Sequence, residues 1–522
     1  MKKEFWQYDP LKKKPLLTLI SIFLIIAVSF FLRCYKIDKS PPGFYADETS
    51  IAYNAYSILK TGRDEYNISF PIFFRAFGDN KNPIFIYSLV PLIAISDLNV
   101  KTIRMGSALW GSLGILSLFW LAKTITKNNL YAIISAIVLA LMPWQLHYSR
   151  LAFEAITFPV LLTIFLALFK NWLKKNNLFY ASLSGLVLGL TFYTYTTARF
   201  WVPVFIFLLS LLFSKELIKK KQRTILFFTF TFLTILPAYF WEKTYPGSLT
   251  SRFRGIAVWN GCENIKEVFY EFLRTFFGHW HPKFLFYSGD INIRHSSRVS
   301  SEILLSLSPF FILGIILSFK YLIKQKIWKF IFILITLFPL AASLTKTDPI
   351  ATRTLHITPF FALTIALPIW WVVKTLSKDK KSLIFGLSII ISAIFLEFSF
   401  YYYHLIHIYP SMSWRSWHGF DGSLPPAITW AYEKSKKEKL PLFLSGRIEQ
   451  AYIQGLFFTK ADPKIWQKYH VAPFQIIGQS QKVPLKGIAV LTKEECERKI
   501  NLKVLKNFGR TIGETDYCVV SL

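Results

Sequence analysis

Long uncharged apolar runs decide the solvent in which this chain folds. The run Pro15–Leu32, "PLLTLISIFLIIAVSFFL", carries no charge. A helix needs about 17–25 mainly apolar residues to cross the hydrocarbon of a bilayer. Runs of that length recur to about residue 400. No small-residue cleavage site follows the first run, so it reads as a retained span, although its basic start would also suit a signal peptide. Composition agrees: 53% of residues are hydrophobic and 18% aromatic, whereas soluble domains sit nearer roughly 45–50% apolar.

The net charge of +31 invites a nucleic-acid reading, but its distribution excludes one. Lysines and arginines gather in short clusters between apolar runs, such as "KNWLKKNN" at 170–177, "KELIKKKQR" at 215–223 and "KTLSKDKK" at 374–381. The clusters fall at every second inter-span loop, as the positive-inside rule requires of cytoplasmic loops. Placing them inside gives about eleven spans: roughly 15–33, 102–122, 130–146, 156–170, 178–195, 200–214, 224–241, 302–319, 328–344, 355–374 and 382–400. The N-terminus is then cytoplasmic. The long loops 34–101 and 242–301, the short loops 147–155, 196–199 and 345–354, and everything after 400 share the external face, where the chemistry is expected.

The chain divides on this reading into a membrane domain, 1–400, and an extracytoplasmic domain, 401–522. The tail alternates helix-like "PPAITWAYEKSKKEK", strand-like "LPLFLSG", helix-like "EQAYIQGLFFT", strand-like "GIAVLT", helix-like "KEECERKI" and strand-like "TDYCVVSL". That alternation implies a small α/β domain. The four cysteines, Cys34, Cys262, Cys496 and Cys518, lack metal-ligand spacing. Cys496 and Cys518 form either a disulfide in the external tail or two free thiols.

The external loops hold the ionisable residues. In "GFYADETSIAYNAYSILKTG", apolar Ile51, Ala52, Ala55, Ile58 and Leu59 predict a short amphipathic helix over 49–61 along the membrane surface, stopped by Gly62. Asp47 or Thr49 would cap it, with Glu48 answering the helix dipole. Capping needs one acid, not two. Asp79, Asn80 and Lys81 precede a short apolar helix opened by Pro83; a solvated turn is the plainer reading. His147, Arg150 and Glu154 share one loop and the head of a span, and ionisable groups at that depth usually face a polar cavity, unless Arg150 merely snorkels. The stretch "GHWHPKFLFYSGDINIRHSS" holds His279, His281, Lys283, Asp290, Arg294 and His295, and "TKTDPIATRTLH" adds Lys346, Arg353 and His356. His279 and His281 suggest a metal only weakly, for lack of a third ligand. A few carboxylates among several cations suit transfer to a hydroxyl from a lipid-linked phosphate: the carboxylate takes the hydroxyl proton and the cations stabilise the departing phosphate.

The pattern resembles the membrane-embedded GT-C glycosyltransferases that use polyprenyl-phosphate sugars, such as the protein O-mannosyltransferases, the aminoarabinose transferase and bacterial family-39-like members. An acidic pair in the first external loop (Asp47–Glu48), a basic residue and proline opening the next helix (Lys81-Asn82-Pro83) and an acid in the second external loop (Glu154 after Arg150) carry it. It spans roughly residues 15–400. The chain departs from the pattern at Asn80, where an acid is usual, and at Asn82, which displaces a second proline. No Trp-Trp-Asp motif marks the tail as an oligosaccharyltransferase's. The resemblance implies a GT-C-type polytopic α-helical membrane protein with external amphipathic helices and a small C-terminal α/β domain. It implies inverting transfer of one sugar from a polyprenyl-phosphate donor to a glycan, lipid or protein hydroxyl on the external face. Asp47 would be the base and Glu48 its orienting neighbour. Lys81, Arg150, Glu154 and Arg353 would bind the donor phosphate and sugar. Asp79, Lys283, Asp290, Arg294, His295 and His356 would be secondary, and a divalent metal is an open possibility. The competing readings are a lipid or sugar flippase, which would favour repeats and polar groups at the membrane midplane, and an assembly subunit, which would not need Asp47 and Glu48 as acids.

Overall fold

The computed structural model describes residues 6–299, 301–415, 419–478, 486–498, 502–510 and 516–522. Among them, nine helices are long and apolar enough to cross a membrane: Pro15–Cys34, Val100–Thr126, Glu154–Lys175, Ala198–Lys219, Lys221–Thr244, Leu305–Leu322, Lys326–Ser343, Ala351–Leu376 and Lys380–His407. The other two expected spans fall on shorter apolar helices, Asn129–Leu141 and Leu178–Thr191. The first stops early for a local reason. Met142 precedes Pro143, whose ring disfavours helical backbone in the preceding residue; Met142 is extended and a six-residue helix, Pro143–Tyr148, restarts after it.

The bundle is layered by burial. In Ala351–Leu376, 89% of the apolar window is buried, against 6% in Lys380–His407. The former is therefore the central helix, and the latter turns Ile384, Phe385, Ile389, Phe395 and Leu396 outward. Such a face suits lipid, where apolar exposure costs nothing.

The loop that follows the first apolar helix folds tightly onto the bundle. The helix Ala46–Thr61 ends at Gly62, whose φ of 69° lets its N–H close on the Ile58 carbonyl at 2.8 Å. It is not an amphipathic helix at a surface, as its sequence suggested. Residues from Ala46 to Ile58 are nearly all buried, because the bundle covers one side and the C-terminal region the other. A hairpin follows, β1 (Phe74–Ala76) against β2 (Asp79–Lys81), turned at Gly78 with φ 77°. Asn82 then leads into the helix Pro83–Ser96 with Pro83 at its first position.

The tail forms a five-stranded sheet of β3 (Leu442–Ser445), β4 (Gln475–Ile477), β5 (Ile488–Thr492), β6 (Lys503–Phe508) and β7 (Tyr517–Ser521), in the order β4-β3-β5-β7-β6. The β3 pairings with β4 and β5 are parallel, and those of β7 with β5 and β6 antiparallel. Among the described residues, each tail segment expected as helix or strand contains an element of that kind, and residues 499, 500 and 515 of those segments lie outside the described residues. The elements that escaped notice are Pro463–Tyr469, β4 and β6; each is short or lacks alternation, and β6 is half-exposed. Cys496 and Cys518 are bonded to each other, closing a separation of 22 residues. The hydrophobic core between sheet and helices also takes in Tyr53, so the tail packs directly on the Ala46–Thr61 helix. Gly43 marks another close approach: a Cβ there would lie 1.9 Å from the Asp421 carbonyl oxygen.

Candidate active site

The two adjacent acids part company. Successive helical residues do not share a face, so one side chain turns to the cavity and the other to the interior. Glu48 is fully buried and paired with Arg104 of the Val100–Thr126 helix, through Nε–Oε1 at 3.0 Å and Nη2–Oε2 at 2.9 Å. It also accepts from the Ala152 N–H at 2.9 Å and reaches back to the Tyr45 N–H at 3.2 Å. Arg104 in turn donates to the carbonyls of Ile37, Pro41 and Gly43. Glu48 is therefore an anchor for the turn that presents Asp47, and its carboxylate does not line the cavity. This corrects its expected place beside substrate.

Asp47 does line a cavity of about 770 Å³, near the positive end of its helix. Its Oδ1 lies 2.6 Å from Lys81 Nζ. Burial alone would lower the Lys81 ammonium, but the charges of Asp47, Glu154 and Asp79 outweigh it and hold Lys81 above its ordinary range. Glu154 grips Asn82 twice, from Asn82 N at 2.8 Å and from Nδ2 at 2.6 Å. The free end of Asn82, Oδ1, accepts from Arg199 Nη2 at 2.8 Å. Asn82, which interrupts the usual motif, thus ties the acid at the head of the Glu154–Lys175 span to an arginine at the head of the Ala198–Lys219 helix.

Of the residues expected at the site, Asp47, Asp79, Lys81, Glu154, Arg294, His295 and Arg353 line this cavity. Arg353 donates to the hydroxyls of Thr345 and Thr347. Arg294 stacks its guanidinium 4.0 Å over the Tyr45 ring. His295 is held through Nδ1 by buried Asp290 at 3.1 Å, whose same oxygen accepts from the Ala351 N–H. Asp290 supports the wall from behind.

Four expectations are displaced. Arg150 is buried and donates to the carbonyls of Leu32, Arg33, Tyr35, Lys36 and Ser40. It satisfies the carbonyls left open at the end of the first span and is not a phosphate ligand in this geometry. His356 is stacked between Phe158 and Trp201, at 5.0 and 5.1 Å, outside the cavity. Lys283 is exposed and does not line it. His279 has both ring nitrogens engaged, with the Thr275 carbonyl at 2.7 Å and the Ile350 N–H at 3.1 Å, and burial pushes it down to about 4. His281 Nδ1 accepts from the Lys283 N–H. Among the described residues, no three His, Cys, Asp or Glu side chains gather to hold a metal ion.

Tyr45, Tyr195, Arg199, Arg252, Glu449 and Gln450 also line the cavity and were not foreseen. Arg199 was within reach of the sequence, since a charge heading a span is the same signal that singled out Glu154. Glu449 and Gln450 were not, because nothing local tells that the tail folds back over residues 45–50.

With this geometry in place, known proteins give the class. Residues 80–241 match the family model of the dolichyl-phosphate-mannose-protein mannosyltransferases. No curated protein matches the chain in sequence. Among solved structures, ArnT from Cupriavidus metallidurans bound to undecaprenyl phosphate superposes with a TM-score of 0.61 at 10% identity, covering 96% of this chain and 97% of that one. The Archaeoglobus fulgidus oligosaccharyltransferase tethered to an acceptor peptide gives 0.57 at 15% identity over 90% of this chain. The same enzyme with an inhibitory peptide and a dolichol-phosphate gives 0.57 at 14%. The chain spans 64% of the length of that oligosaccharyltransferase. At these identities the likeness is one of fold, and the fold is that of the GT-C glycosyltransferases. The chain is a multi-pass membrane protein of that fold, and its residues 80–241 are similar to the mannosyltransferase family model.

Proposed function

We propose that this protein is an inverting glycosyltransferase that moves one sugar from a polyprenyl phosphate to an acceptor hydroxyl on the extracytoplasmic face. The observation that carries the reading is the meeting of Asp47, Lys81, Glu154, Arg199, Arg294 and Arg353 in one cavity. Asp47 takes the proton of the acceptor hydroxyl as its oxygen bonds to the anomeric carbon. The bond from that carbon to the phosphate oxygen breaks with its electron pair on the phosphate, which leaves as the lipid monophosphate. Lys81 and Arg353 stabilise the charge developing there, with Lys81 shared between Asp47 and the departing oxygen. Glu154 acts through Asn82, fixing the segment that carries Lys81 and shaping the sugar pocket. The undecaprenyl phosphate of ArnT and the dolichol-phosphate of the archaeal enzyme support a lipid-phosphate donor.

The same reading assigns residues 1–400 to a membrane domain and 401–522 to an extracytoplasmic domain, with the N-terminus in the cytoplasm. Transfer tests the reaction. Purified protein is given radiolabelled undecaprenyl-phosphate sugars and candidate acceptors. Asp47→Asn should fold normally and lose transfer by 10²-fold or more, on the order expected for a base. Undiminished transfer in that variant removes Asp47 as base. Protein-dependent movement of lipid across liposomes, with no sugar transfer, replaces the reading by a flippase.

A further inference from the structure

Asp47 shares its cavity with two unlike sets of side chains. One set is apolar: Phe200, Leu249, Phe253, Ile256, Ala341 and Leu344, from the membrane helices and their connections. The other is polar or aromatic: Tyr45, Asn292 and Arg294 together with Glu449 and Gln450 of the C-terminal region.

Glu449 and Gln450 are held there by tertiary contacts. The helix Ala451–Phe458 directly after them packs on the Ala46–Thr61 helix. Gln454 accepts from Thr49 Oγ1 at 3.3 Å and donates to the Phe44 carbonyl at 3.3 Å. Phe457 stacks on Phe44 at 4.9 Å, and Tyr53 donates to the Ala461 carbonyl at 3.1 Å. Gln450 takes a left-handed backbone, φ 50° and ψ 46°, which turns the chain at the cavity edge. Tyr45 donates from its hydroxyl to Glu449 Oε1 at 3.5 Å, so the tail meets the residue two places before the base. Glu449 itself is exposed. The neighbouring Arg447 is engaged elsewhere, with Glu494 at 2.9 Å, and among the described residues Glu449 has no Lys or Arg at ion-pair distance.

We infer that Glu449 and Gln450 are the acceptor-reading residues of this site, binding a hydroxyl-bearing acceptor. The inference rests on the transferase reading above. A carboxylate and a primary amide, set beside an aromatic ring at a water-facing entrance, match the alternating donors and acceptors of a polyol or sugar. They would leave the donor's phosphate to Lys81 and Arg353.

The test separates acceptor from donor by using water as a second acceptor. Purified protein receives radiolabelled undecaprenyl-phosphate mannose and undecaprenyl-phosphate arabinose, with octyl mannoside, a Thr-rich peptide or an envelope lipid extract, and both transferred and free sugar are counted. Glu449→Gln and Gln450→Asn, the latter chosen because Asn tolerates left-handed backbone, are compared with Glu433→Gln, an exposed control on the helix Leu424–Glu438. The expected result is a fall of about tenfold in the ratio of transfer to hydrolysis in the two rim variants, a matching rise in half-saturating acceptor, and a donor KM within twofold of wild type. An unchanged ratio, an equal change in the control, or a donor KM that moves as far as the acceptor's overturns the assignment alone. Hydrolysis without transfer to any of the acceptors overturns it as well. Wild-type protein that releases sugar from neither donor overturns the transferase reading, and this inference with it.

Discussion

Arg150 donates to backbone carbonyls and Arg104 to three carbonyls and the Glu48 carboxylate, and that fixes what their loss should do. Together they hold residues 32–43, the segment between the first span and the Asp47 helix. Arg150→Lys keeps the charge but cannot reproduce a planar fork of donors. The expected outcome is a lower melting temperature with an unchanged donor KM, read by thermal unfolding in detergent and by steady-state kinetics. Glu48→Gln leaves the buried Arg104 guanidinium without its counter-charge, a change worth about 3–5 kcal/mol in comparable buried pairs. It should therefore behave as a folding mutant. Lys81→Gln differs from both, because Lys81 is partly accessible and lies on the cavity wall. Its loss should lower kcat/KM by roughly 10²-fold, the scale of one stabilising donor removed from an active site, while the melting temperature stays near wild type. The acidic pair was legible as a candidate site, but not the different places of its two members, Asp47 on the cavity and Glu48 on Arg104. Two adjacent letters look equivalent until the helix turns one of them inward against an arginine 56 residues away in sequence.

The Ala46–Thr61 helix also holds a second buried acid, Glu65 of the loop that follows it, through Asn54. Glu65 receives the Asn54 Nδ2 at 3.0 Å, and its N–H donates to Asn54 Oδ1 at 3.0 Å. Burial raises its carboxyl from 4.5 to about 8, opposed by the Asn54 hydrogen bond. Between those two values the unfolded chain holds less proton than the folded one, so stability falls as pH rises through that window. Glu65→Gln should remove this dependence: the melting temperature at pH 8 rises relative to wild type and the two proteins converge near pH 4.5, as followed by unfolding scans across pH. The same helix shows why surface amphipathicity was the wrong expectation. Apolar residues at helical spacing say that one face is buried, and they do not report that a second partner arrives from residues 451–467 to cover the other. Gln467 Nε2, for instance, donates to Ser57 Oγ at 2.8 Å and to the Asp64 carbonyl at 2.8 Å.

At the scale of the whole molecule, the tail and the Ala46–Thr61 helix share one hydrophobic core around Tyr53. Removing residues 419–522 uncovers Tyr53, Phe44 and the Thr49 face together. The truncated protein should then insert in the membrane yet lose protection of residues 44–65, seen by hydrogen exchange or limited proteolysis, and lose transfer with it. The topology is checked separately. With Cys34 and Cys262 replaced by serine, a cysteine at Lys439 should react with an impermeant maleimide from outside the cell and one at Lys378 only after the membrane is opened; the reverse pattern inverts the assigned orientation.

The membrane class, the helix positions and the α/β character of the tail were written in the sequence, because length, hydropathy and alternation are local properties of the chain. Grouping Asp47, Lys81, Glu154 and Arg353, which line one cavity, also lay within its reach, through motif order along the loops between spans. The tertiary structure decided the rest. It set Glu48 and Arg150 apart as structural anchors, brought Arg199 to Asn82, and folded Glu449 and Gln450 onto the cavity wall. Those outcomes depend on which buried charge finds a partner across tens or hundreds of residues, and no local pattern encodes that choice.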